Sequence, residues 1–298
     1  MVKEDALLTI VTATYNRAGY LRRLYDSLVN QGSKKFIWII IDDGSTDDTE
    51  EIVKNFVNDD FPVIYRKKDN GGKHTALNYG IPLIKTPYTF IVDSDDYLFK
   101  NAIELVYQWI LEIADDPRFA GVAGNRMNES NNSIIGSYPN KEYVDCLNSQ
   151  RVFKHLLGDK AEIYKTDLLR SNPFPVFDGE KFIPESVVWN KISDMGLMLR
   201  WHKESLVKCG YLENGLTSSV RSIDAFKKNY NGFKEDFRIN FRTLPFPFNY
   251  SAASVFYAKC IAINNCEKCL DNIEISFLKR ILIRVLGRIR FLVNFPYN

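Results

Sequence analysis

The segment Asp93-Ser94-Asp95-Asp96 places three carboxylates directly after an apolar run of the sequence. Crowded carboxylates repel one another, so some of them keep their protons with a raised pKa unless a cation neutralises the group. A hard divalent cation, bound by one or two carboxylates together with substrate phosphates, would supply that positive charge. The alternative is that Asp95 or Asp96 only caps the helix that follows.

A second acidic segment, DDGSTDD at residues 42–48, follows the apolar run FIWIII at residues 36–41. Ser45 suits the start of a helix, and the acids after it suit the positive end of the helix dipole. That interpretation leaves Asp42 and Asp43 unexplained, because they come directly after the apolar run. A carboxylate there can accept a hydrogen bond from an N–H group of a nucleotide base, so we expect one of the pair to bind a ligand.

Residues 70–74, NGGKH, precede a predicted helix. Paired glycines let the backbone approach a ligand closely, and Lys73 and His74 would then meet a phosphate group at the helix N-terminus. The alternative is an ordinary turn with a solvated lysine. The segment is not a P-loop, because the pattern G-x-x-x-x-G-K-[ST] is absent.

These polar segments lie between regular elements. Over the first 125 residues, strand-like apolar runs alternate with segments of helical periodicity, which indicates βαβ units, a mostly parallel sheet and an α/β fold class. Ligands of such a sheet bind beyond the carboxyl ends of its strands. We therefore expect the polar residues that follow the first, second and fourth strands to meet at one edge. The predicted strands cover residues 7–13, 36–41, 62–65, 88–92 and 119–124, and predicted helices include 75–84 and 102–114.

The composition is that of a globular protein, since 45% of the 298 residues are apolar and 26% are charged. A formal net charge of +2 argues against a general nucleic-acid-binding protein. The five cysteines lack the spacing of a disulfide scaffold, which favours reduced thiols and a cytoplasmic location. The short apolar run at the N-terminus predicts a strand rather than a signal peptide, and no apolar stretch of about 18 residues predicts a membrane span.

Four segments, taken together, resemble the family 2 glycosyltransferases, whose catalytic domain has the GT-A fold, a Rossmann-type sheet flanked by helices. Both the order and the spacing of the segments are similar to the family pattern. A weaker likeness extends to DGEKFIPESVVWNKI at residues 178–192, the region that is similar to the part of the family holding the catalytic base. The four segments are TATYNRAGYLRRLYDSL (12–28), WIIIDDGSTDDT (38–49), NGGKHTALNYGI (70–81) and FIVDSDDYL (90–98).

The resemblance implies transfer of a sugar from a nucleotide diphosphate sugar, with a UDP-sugar favoured, and inversion at the anomeric carbon. It implies that Asp95 ligates Mg²⁺ or Mn²⁺ at the diphosphate, that Asp93 contacts the ribose or helps to hold the metal, and that Glu185 is the general base. The residues implied in donor binding are Thr14, Tyr15, Asp42 or Asp43, Lys73, His74 and Asp93.

Two positions depart from the family pattern. Glu185 is followed by Ser186 where many relatives carry Glu-Asp, so Glu185 takes the base role by default. Its alternative role is that of an acid that favours the N-terminus of a helix. Leu77 stands where many relatives carry arginine, so the phosphate contact must come from another residue. The candidates for that contact are Lys73, His74, Lys67 and Arg221.

Residues 277–295, FLKRILIRVLGRIRFLVNF, contain five basic residues and no acidic one. Arg280, Arg284 and Arg288 recur every four residues and form a basic stripe beside a broad apolar face. Such a helix suits an anionic membrane surface. The alternative is a helix that packs on the catalytic domain with its arginine edge in water.

The sequence therefore predicts a metal-dependent, inverting glycosyltransferase of the bacterial surface-polysaccharide type. We expect a catalytic domain at residues 1–222, divided into a donor half at 1–125 and an acceptor half at 126–222, and a helical extension at 223–298. Its expected acceptor is a glycan or a polyprenyl-linked sugar, and its expected location is the cytoplasm, with peripheral binding to the inner face of the plasma membrane.

Two alternatives stay open at the level of the sequence. One is a non-catalytic module that binds nucleotide sugars without turning them over. The other is a sugar nucleotidyltransferase, a class that usually opens with a glycine- and arginine-rich loop after the first strand. Thr14-Tyr15-Asn16-Arg17 stands at that place in this chain, which argues against the second alternative.

Overall fold

The computed structural model describes residues 6–56, 60–210, 222–271 and 273–294. Within these ranges, nine strands form one sheet that is flanked by helices. The strands are β1 (Leu8–Thr14), β2 (Phe36–Asp42), β3 (Val63–Lys67), β4 (Tyr88–Ile91), β5 (Asp96–Leu98), β6 (Phe119–Asn128), β7 (Tyr143–Cys146), β8 (Lys160–Lys165) and β9 (Met198–Cys209). The helices are α1 (Ala18–Val29), α2 (Thr49–Lys54), α3 (Lys73–Gly80), α4 (Ala102–Ile113), α5 (Thr166–Ser171), α6 (Ser186–Asp194), α7 (Ile223–Lys228), α8 (Tyr230–Thr243), α9 (Phe248–Ala262) and α10 (Phe277–Asn294).

The first four strands form the parallel part of the sheet, in the order β3-β2-β1-β4. All seven residues of β2 are buried, as the continuous apolar run predicted for a strand covered on both faces. Phe36, Trp38 and Ile40 belong to the core on one side of the sheet, which α1 and α4 cover. Ile39 and its alternate neighbours belong to the core on the other side, under α3 and α6.

The other part of the sheet mixes strand directions. Strand β8 lies between β4 and β6 and runs antiparallel to both, while β6 and β9 are parallel. Strands β5 and β7 both pair with β9 in antiparallel fashion. Four of the eight pairings are therefore antiparallel, so the expected mostly parallel arrangement applies to β1–β4 and not to the whole sheet. The α/β class predicted from the sequence is confirmed.

Two helix starts differ from the predictions. Helix α2 begins at Thr49, whereas Ser45 precedes it in the loop and accepts a hydrogen bond from the backbone N–H of Asn16 at 2.9 Å. Helix α3 begins at Lys73, immediately after Gly72, and gives way to a short 3₁₀ turn at Ile81. Asp47 likewise accepts a hydrogen bond from the backbone N–H of Ala18 at 3.1 Å, so Ser45 and Asp47 tie the loop after β2 to the loop after β1.

The described part of the chain after residue 222 is mainly helical, as expected, and residues 244–247 separate α8 from α9. Helices α7, α8, α9 and α10 bury a third apolar cluster, which includes Phe226, Phe237 and Phe256. Helix α8 also packs on α6, and its Ile239 belongs to the core beneath the sheet. In the described part of the chain, no helix has both the length and the apolar character needed to cross a bilayer.

Candidate active site at the carboxyl edge of the sheet

The carboxyl ends of β1, β2 and β4 lie side by side, as the strand order requires. Thr14 is in register with Asp42 across the β1–β2 pair, and Asp93 follows the last residue of β4 by two positions. The polar residues predicted from three separate segments therefore meet at one edge of the sheet. Open α/β sheets bind their ligands at such an edge.

Protein cations neutralise the acids that follow β4. The ammonium group of Lys73 donates a hydrogen bond to Asp93, and Arg126 lies 3.5 Å from the second oxygen of Asp93. Arg126 also pairs with Asp96 at 2.5 Å. Basic side chains therefore supply part of the neutralising charge that we expected from a metal and a diphosphate. Burial and the charges of Asp93 and Asp95 still raise the pKa of Asp96 to about 7, as expected for crowded carboxylates. Burial by itself raises the pKa of Asp93, but attraction to Lys73 and Arg126 outweighs it and lowers that pKa to about 2.

Asp95 forms one ion pair with the described residues, whereas Asp93 forms two. One of its carboxylate oxygens accepts a hydrogen bond from Arg17 at 3.1 Å, and its side chain is 24% exposed. Its backbone carbonyl accepts a hydrogen bond from Arg23 at 2.7 Å, which fixes the loop. Asp95 therefore keeps one carboxylate oxygen without a protein donor among the described residues.

A metal at this edge would be held by carboxylate oxygens, which are the ligands that Mg²⁺ and Mn²⁺ prefer. In the ranges that the structure describes, no group of three or more His, Cys, Asp or Glu side chains converges on one point. The described residues at this edge therefore supply only part of a coordination shell. The open oxygen of Asp95 and the neighbouring Asp93 fit a cation that one or two carboxylates share with a diphosphate.

Glu185 lies at the start of α6, where its carboxylate joins the same network. Its Oε1 atom is 2.9 Å from the ammonium group of Lys73, which also contacts Asp93. One lysine thus links the acid after β4 to the acid at the start of α6, two residues that are far apart in the sequence. Their two negative charges raise the pKa of Lys73 although its burial opposes this, so the lysine stays charged.

Ser186, which follows Glu185, contacts a carboxylate of another helix. Its hydroxyl donates a hydrogen bond to Asp236 of α8 at 2.6 Å. Burial raises the pKa of Asp236 to about 6, and the hydrogen bond from Ser186 opposes that rise. A second acid therefore lies next to the start of α6, although it comes from α8 and not from the next position in the sequence.

The two acids at the end of β2 are both enclosed by protein donors. Asp42 accepts hydrogen bonds from the backbone N–H of Ser45 at 2.7 Å and from the hydroxyl of Tyr65 at 2.6 Å. Asp43, which is 2% exposed, accepts hydrogen bonds at both oxygens from the loop that precedes α3. Its donors are Lys68 Nζ at 2.8 Å, Asn70 Nδ2 at 3.1 Å, Gly71 N at 3.0 Å and Gly72 N at 2.7 Å. A base N–H that bound Asp43 would have to replace a side-chain donor, for which Lys68 and Asn70 are the candidates.

The end of β1 offers free polar and aromatic groups. The hydroxyl of Thr14 is buried and makes no hydrogen bond with any described residue, while the ring of Tyr15 is 47% exposed. A buried hydroxyl without a partner loses free energy unless a ligand or water satisfies it. Its position beside an exposed ring suits a bound nucleoside.

The four candidates for phosphate contact differ in whether they reach the acidic cluster after β4. Lys73 reaches the acidic cluster, whereas His74 is 1% exposed and neither ring nitrogen has a partner among the described residues. Burial lowers the pKa of His74, so it is neutral and enclosed, and the expectation that it meets a phosphate is not supported. Lys67 lies 3.7 Å from Glu50 at the surface, and Arg221 lies outside the described residues.

The loop that carries Glu185 is anchored at two points that the sequence pattern did not reveal. Glu180 accepts hydrogen bonds from the backbone N–H groups of Asn231 and Gly232, both at 2.8 Å, in the first turn of α8. A carboxylate is favourable at that end of a helix. Lys181 donates a hydrogen bond to the side chain of Asn70, so the loop also contacts the segment before α3.

Comparison with curated proteins finds related sequences that are much longer than this chain. The glycosyltransferase GlyA of Streptococcus pneumoniae is 34% identical over 212 residues, which cover 70% of this chain and 27% of GlyA. The chondroitin synthase of Pasteurella multocida is 27% identical over 228 residues, 75% of this chain and 22% of that protein. The chain therefore spans about a quarter of the length of these relatives.

Solved structures share the fold at low sequence identity. Staphylococcus aureus TarS 1–349 in complex with UDP-GlcNAc aligns with a TM-score of 0.63 and 17% identity, over 96% of this chain and 80% of TarS. The mannosyltransferase PcManGT of Pyrobaculum calidifontis in complex with GDP-Man and Mn²⁺ aligns with a TM-score of 0.57 and 18% identity, over 99% and 83% of the two chains. These alignments confirm the GT-A-like fold expected from the four sequence segments. The model of the Glycosyl transferase family 2 matches residues 9–163, more than half of the sequence, and the chain therefore belongs to glycosyltransferase family 2.

Proposed function

We propose that this chain transfers a sugar from a nucleotide diphosphate sugar to a hydroxyl group of a glycan or polyprenyl-linked acceptor. The observation that carries the proposal is the contact of Lys73 with both Asp93 and Glu185, which joins the donor edge of the sheet to a candidate base. The relatives named above are glycosyltransferases, and the titles of the two solved structures name UDP-GlcNAc and GDP-Man. We favour a UDP-sugar as the donor.

The donor would bind across the ends of β1, β2 and β4. Thr14 and Tyr15 would contact the nucleoside, Asp43 or Asp42 the base, and Asp93 the ribose. Support comes from the hydroxyl of Thr14, which has no partner among the described residues, from the exposed ring of Tyr15 and from the register of Thr14 with Asp42. Lys73 provides the positive charge that a diphosphate requires at this edge.

Two groups of the chain would act on the reacting atoms. Glu185 accepts the proton of the attacking hydroxyl, which makes that hydroxyl a better nucleophile. Lys73 stabilises the negative charge that grows on the leaving diphosphate as the glycosidic bond breaks. A divalent Mg²⁺ or Mn²⁺ at Asp95 and Asp93, when bound, would add Lewis-acid stabilisation of that leaving group. Direct displacement by a hydroxyl activated in this way inverts the anomeric carbon.

Release of nucleoside diphosphate from UDP- and GDP-sugars, with and without Mn²⁺, tests this proposal. We expect turnover by the wild type with Mn²⁺, and Glu185→Gln is expected to lower kcat by about 10²- to 10⁴-fold because it removes the base. Asp95→Ala is expected to remove the dependence of donor affinity on Mn²⁺. Asp167→Asn, at an exposed acid on α5, serves as the matched control and should behave like the wild type.

Other outcomes distinguish the remaining functions. Donor binding without turnover in both the wild type and Glu185→Gln would favour a non-catalytic nucleotide-sugar-binding module. Formation of a nucleotide sugar from a sugar 1-phosphate and a nucleoside triphosphate would favour a nucleotidyltransferase. Undiminished Mn²⁺-dependent affinity in Asp95→Ala would show that the metal ligand lies elsewhere.

We further propose that α10 binds the anionic surface of a membrane, which would place the protein peripherally at the inner face of the plasma membrane. Ile283 and Gly287 of this helix face the helical core, whereas a larger set of apolar side chains remains exposed. The basic stripe is shorter than the spacing suggested, because Arg280 donates hydrogen bonds to the carbonyls of Ile273 and Ile275. The exposed apolar residues are Phe277, Leu278, Ile281, Leu282, Val285, Ile289, Leu292 and Val293, and the exposed basic residues are Lys279, Arg284 and Arg288.

A further inference from the structure

Strand β8 presents polar side chains to the side of the sheet on which α6 lies. Glu162 and Tyr164 are two residues apart on this strand, so their side chains point to the same face. Tyr164 belongs to the core beneath α3 and α6, whereas Ile163 belongs to the core on the opposite side. Glu162 thus projects from a central strand towards the region in which Glu185 lies.

The carboxyl group of Glu162 is nearly enclosed, yet it accepts no hydrogen bond from any residue that the structure describes. Its side chain is 11% exposed, and its only ion pair among the described residues is with Arg151 at 3.8 Å. A buried carboxylate normally accepts several hydrogen bonds, because burial without them is costly. The acceptor capacity of Glu162 is therefore available to a ligand.

Tyr164, on the same face of the sheet, is a second enclosed residue with a polar group that is available to a ligand. The residue is 2% exposed, and its hydroxyl makes no hydrogen bond with any described residue. Its ring stacks on Trp189 of α6 with a centroid separation of 4.5 Å, and the backbone N–H of Trp189 donates to the carbonyl of Glu185 at 3.1 Å. The tyrosine therefore packs on a residue of α6 that lies one helical turn after the candidate base.

The charges on this face are coupled to one another. Burial and the negative charge of Glu185 raise the pKa of Glu162 to about 7, although Arg151 and Arg126 oppose the rise. The same two glutamates act on the buried hydroxyl of Tyr164. Glu162, Tyr164 and Glu185 therefore belong to one polar environment, which the donor edge does not use.

We propose that Glu162 binds a hydroxyl group of the acceptor sugar next to Glu185, and that Tyr164 provides the deeper hydrogen-bonding group of this subsite. The inference rests on the proposed function and names the part of the site that receives the acceptor. A sugar hydroxyl donates a hydrogen bond to the Glu162 carboxylate, while Glu185 accepts the proton of the attacking hydroxyl. The positive charge of Arg151 stabilises the negative charge of Glu162 in this enclosed position.

The test separates acceptor binding from donor turnover. Transfer from UDP-glucose, UDP-GlcNAc and GDP-mannose is measured with the p-nitrophenyl glycosides of glucose, galactose and N-acetylglucosamine as acceptor probes, beside donor hydrolysis without acceptor. We expect Glu162→Ala to raise the acceptor KM by 10- to 100-fold and Tyr164→Phe to raise it by 2- to 10-fold, with donor hydrolysis within twofold of the wild type. Glu142→Gln, at an exposed glutamate paired with Lys203, is the matched control and should keep the wild-type KM.

The outcomes that overturn the inference differ from those that overturn the proposed function. An unchanged acceptor KM in Glu162→Ala, or an equal loss of donor hydrolysis, rejects the subsite while the transferase function stands. Wild-type donor hydrolysis without saturable transfer to any acceptor probe also rejects the subsite. A wild type that releases no nucleoside diphosphate from any donor rejects the proposed function, and the subsite with it.

Discussion

At the scale of single residues, the ionisation of Glu162, the residue proposed to bind the acceptor, also affects folding stability. Its pKa is near 4.5 in the unfolded chain and about 7 in the folded protein, so the folded protein binds more protons between these values. Folding stability must then fall as the pH rises through this window. The charged groups that act on Glu162 are Arg151, Arg126, Glu185 and Asp159, and the two arginines limit the loss.

Glu162→Gln removes this pH dependence, because a neutral amide replaces the ionisable group. We expect the variant to be more stable than the wild type at pH 8, by up to about 3 kcal/mol from a shift of this size, and similar to it at pH 5. Urea unfolding at both pH values measures the difference. A variant that loses as much stability as the wild type between pH 5 and pH 8 would contradict the assignment of this titration to Glu162.

The sequence predicted the acidic and glycine-containing segments of the site but not the residues that balance them. Asp93, Asp95 and Glu185 stand out because carboxylates follow a strand or begin a helix. Arg126 and Asp236 do not stand out, because each meets its partner only when distant elements pack. The need for neutralising charge near Asp93 was inferred correctly, but its source in the protein itself depends on tertiary structure.

At the scale of elements, the loop before α3 packs closely against the loop before α6 at Gly72. Gly72 has a φ of 95°, a conformation that other residues rarely adopt, and a Cβ atom there would collide with the carbonyl group of Lys181. The backbone N–H of Gly72 also binds Asp43. This one glycine therefore lets the donor loop lie against the loop that carries Glu185.

Gly72→Ala is expected to destabilise the fold by about 3 kcal/mol, through backbone strain and a clash with backbone atoms. It should also lower kcat, because the Lys181 backbone that must shift lies four residues before Glu185. Gly179→Ala is the matched control, since Gly179 has a φ of 73° but open space around its Cβ position. We expect a smaller cost of about 1 kcal/mol there. Equal destabilisation of both variants in urea unfolding would show that the contact with Lys181 is unimportant.

The parallel part of the sheet could be predicted because each of its strands has a strong local signal. Strand β2 is apolar at every position but its last, which is typical of a strand covered on both faces. The antiparallel placement of β8 and the pairing of β5 with β9 could not be predicted, because direction and register in that region depend on contacts between distant segments. The residues of the proposed acceptor subsite lie in this less predictable half.

At the scale of the whole molecule, α10 gives one end of the protein an apolar and basic surface. A helix of this kind binds anionic bilayers through buried apolar area and electrostatic attraction. We expect the wild type to sediment with vesicles that contain phosphatidylglycerol and to stay in solution with phosphatidylcholine alone. The double variants Arg284→Gln/Arg288→Gln and Leu278→Asn/Leu292→Asn should each reduce the bound fraction by about tenfold, since their side chains face solvent.

A matched control distinguishes binding by this surface from non-specific adsorption of exposed apolar residues to vesicles. Leu111→Asn changes a leucine that is exposed on α4, a different helix, and is expected to leave vesicle binding unchanged. Deleting residues 277–298 should also abolish sedimentation. The deletion removes Gly287 from its contact with Tyr257 and so exposes that side chain, which makes the point variants the cleaner test. Equal sedimentation of the wild type and both double variants would reject the membrane surface.

The proposed function requires that a nucleoside diphosphate and its metal bind where β1, β2 and β4 end. A crystal structure with UDP and Mn²⁺, using the anomalous signal of manganese, locates both. We expect a manganese peak on a carboxylate oxygen of Asp95 that the diphosphate shares, with the nucleoside beside Thr14 and Tyr15. A nucleotide bound elsewhere, with Asp95 still paired to Arg17 and no manganese peak beside it, would show that the proposed donor site is wrong.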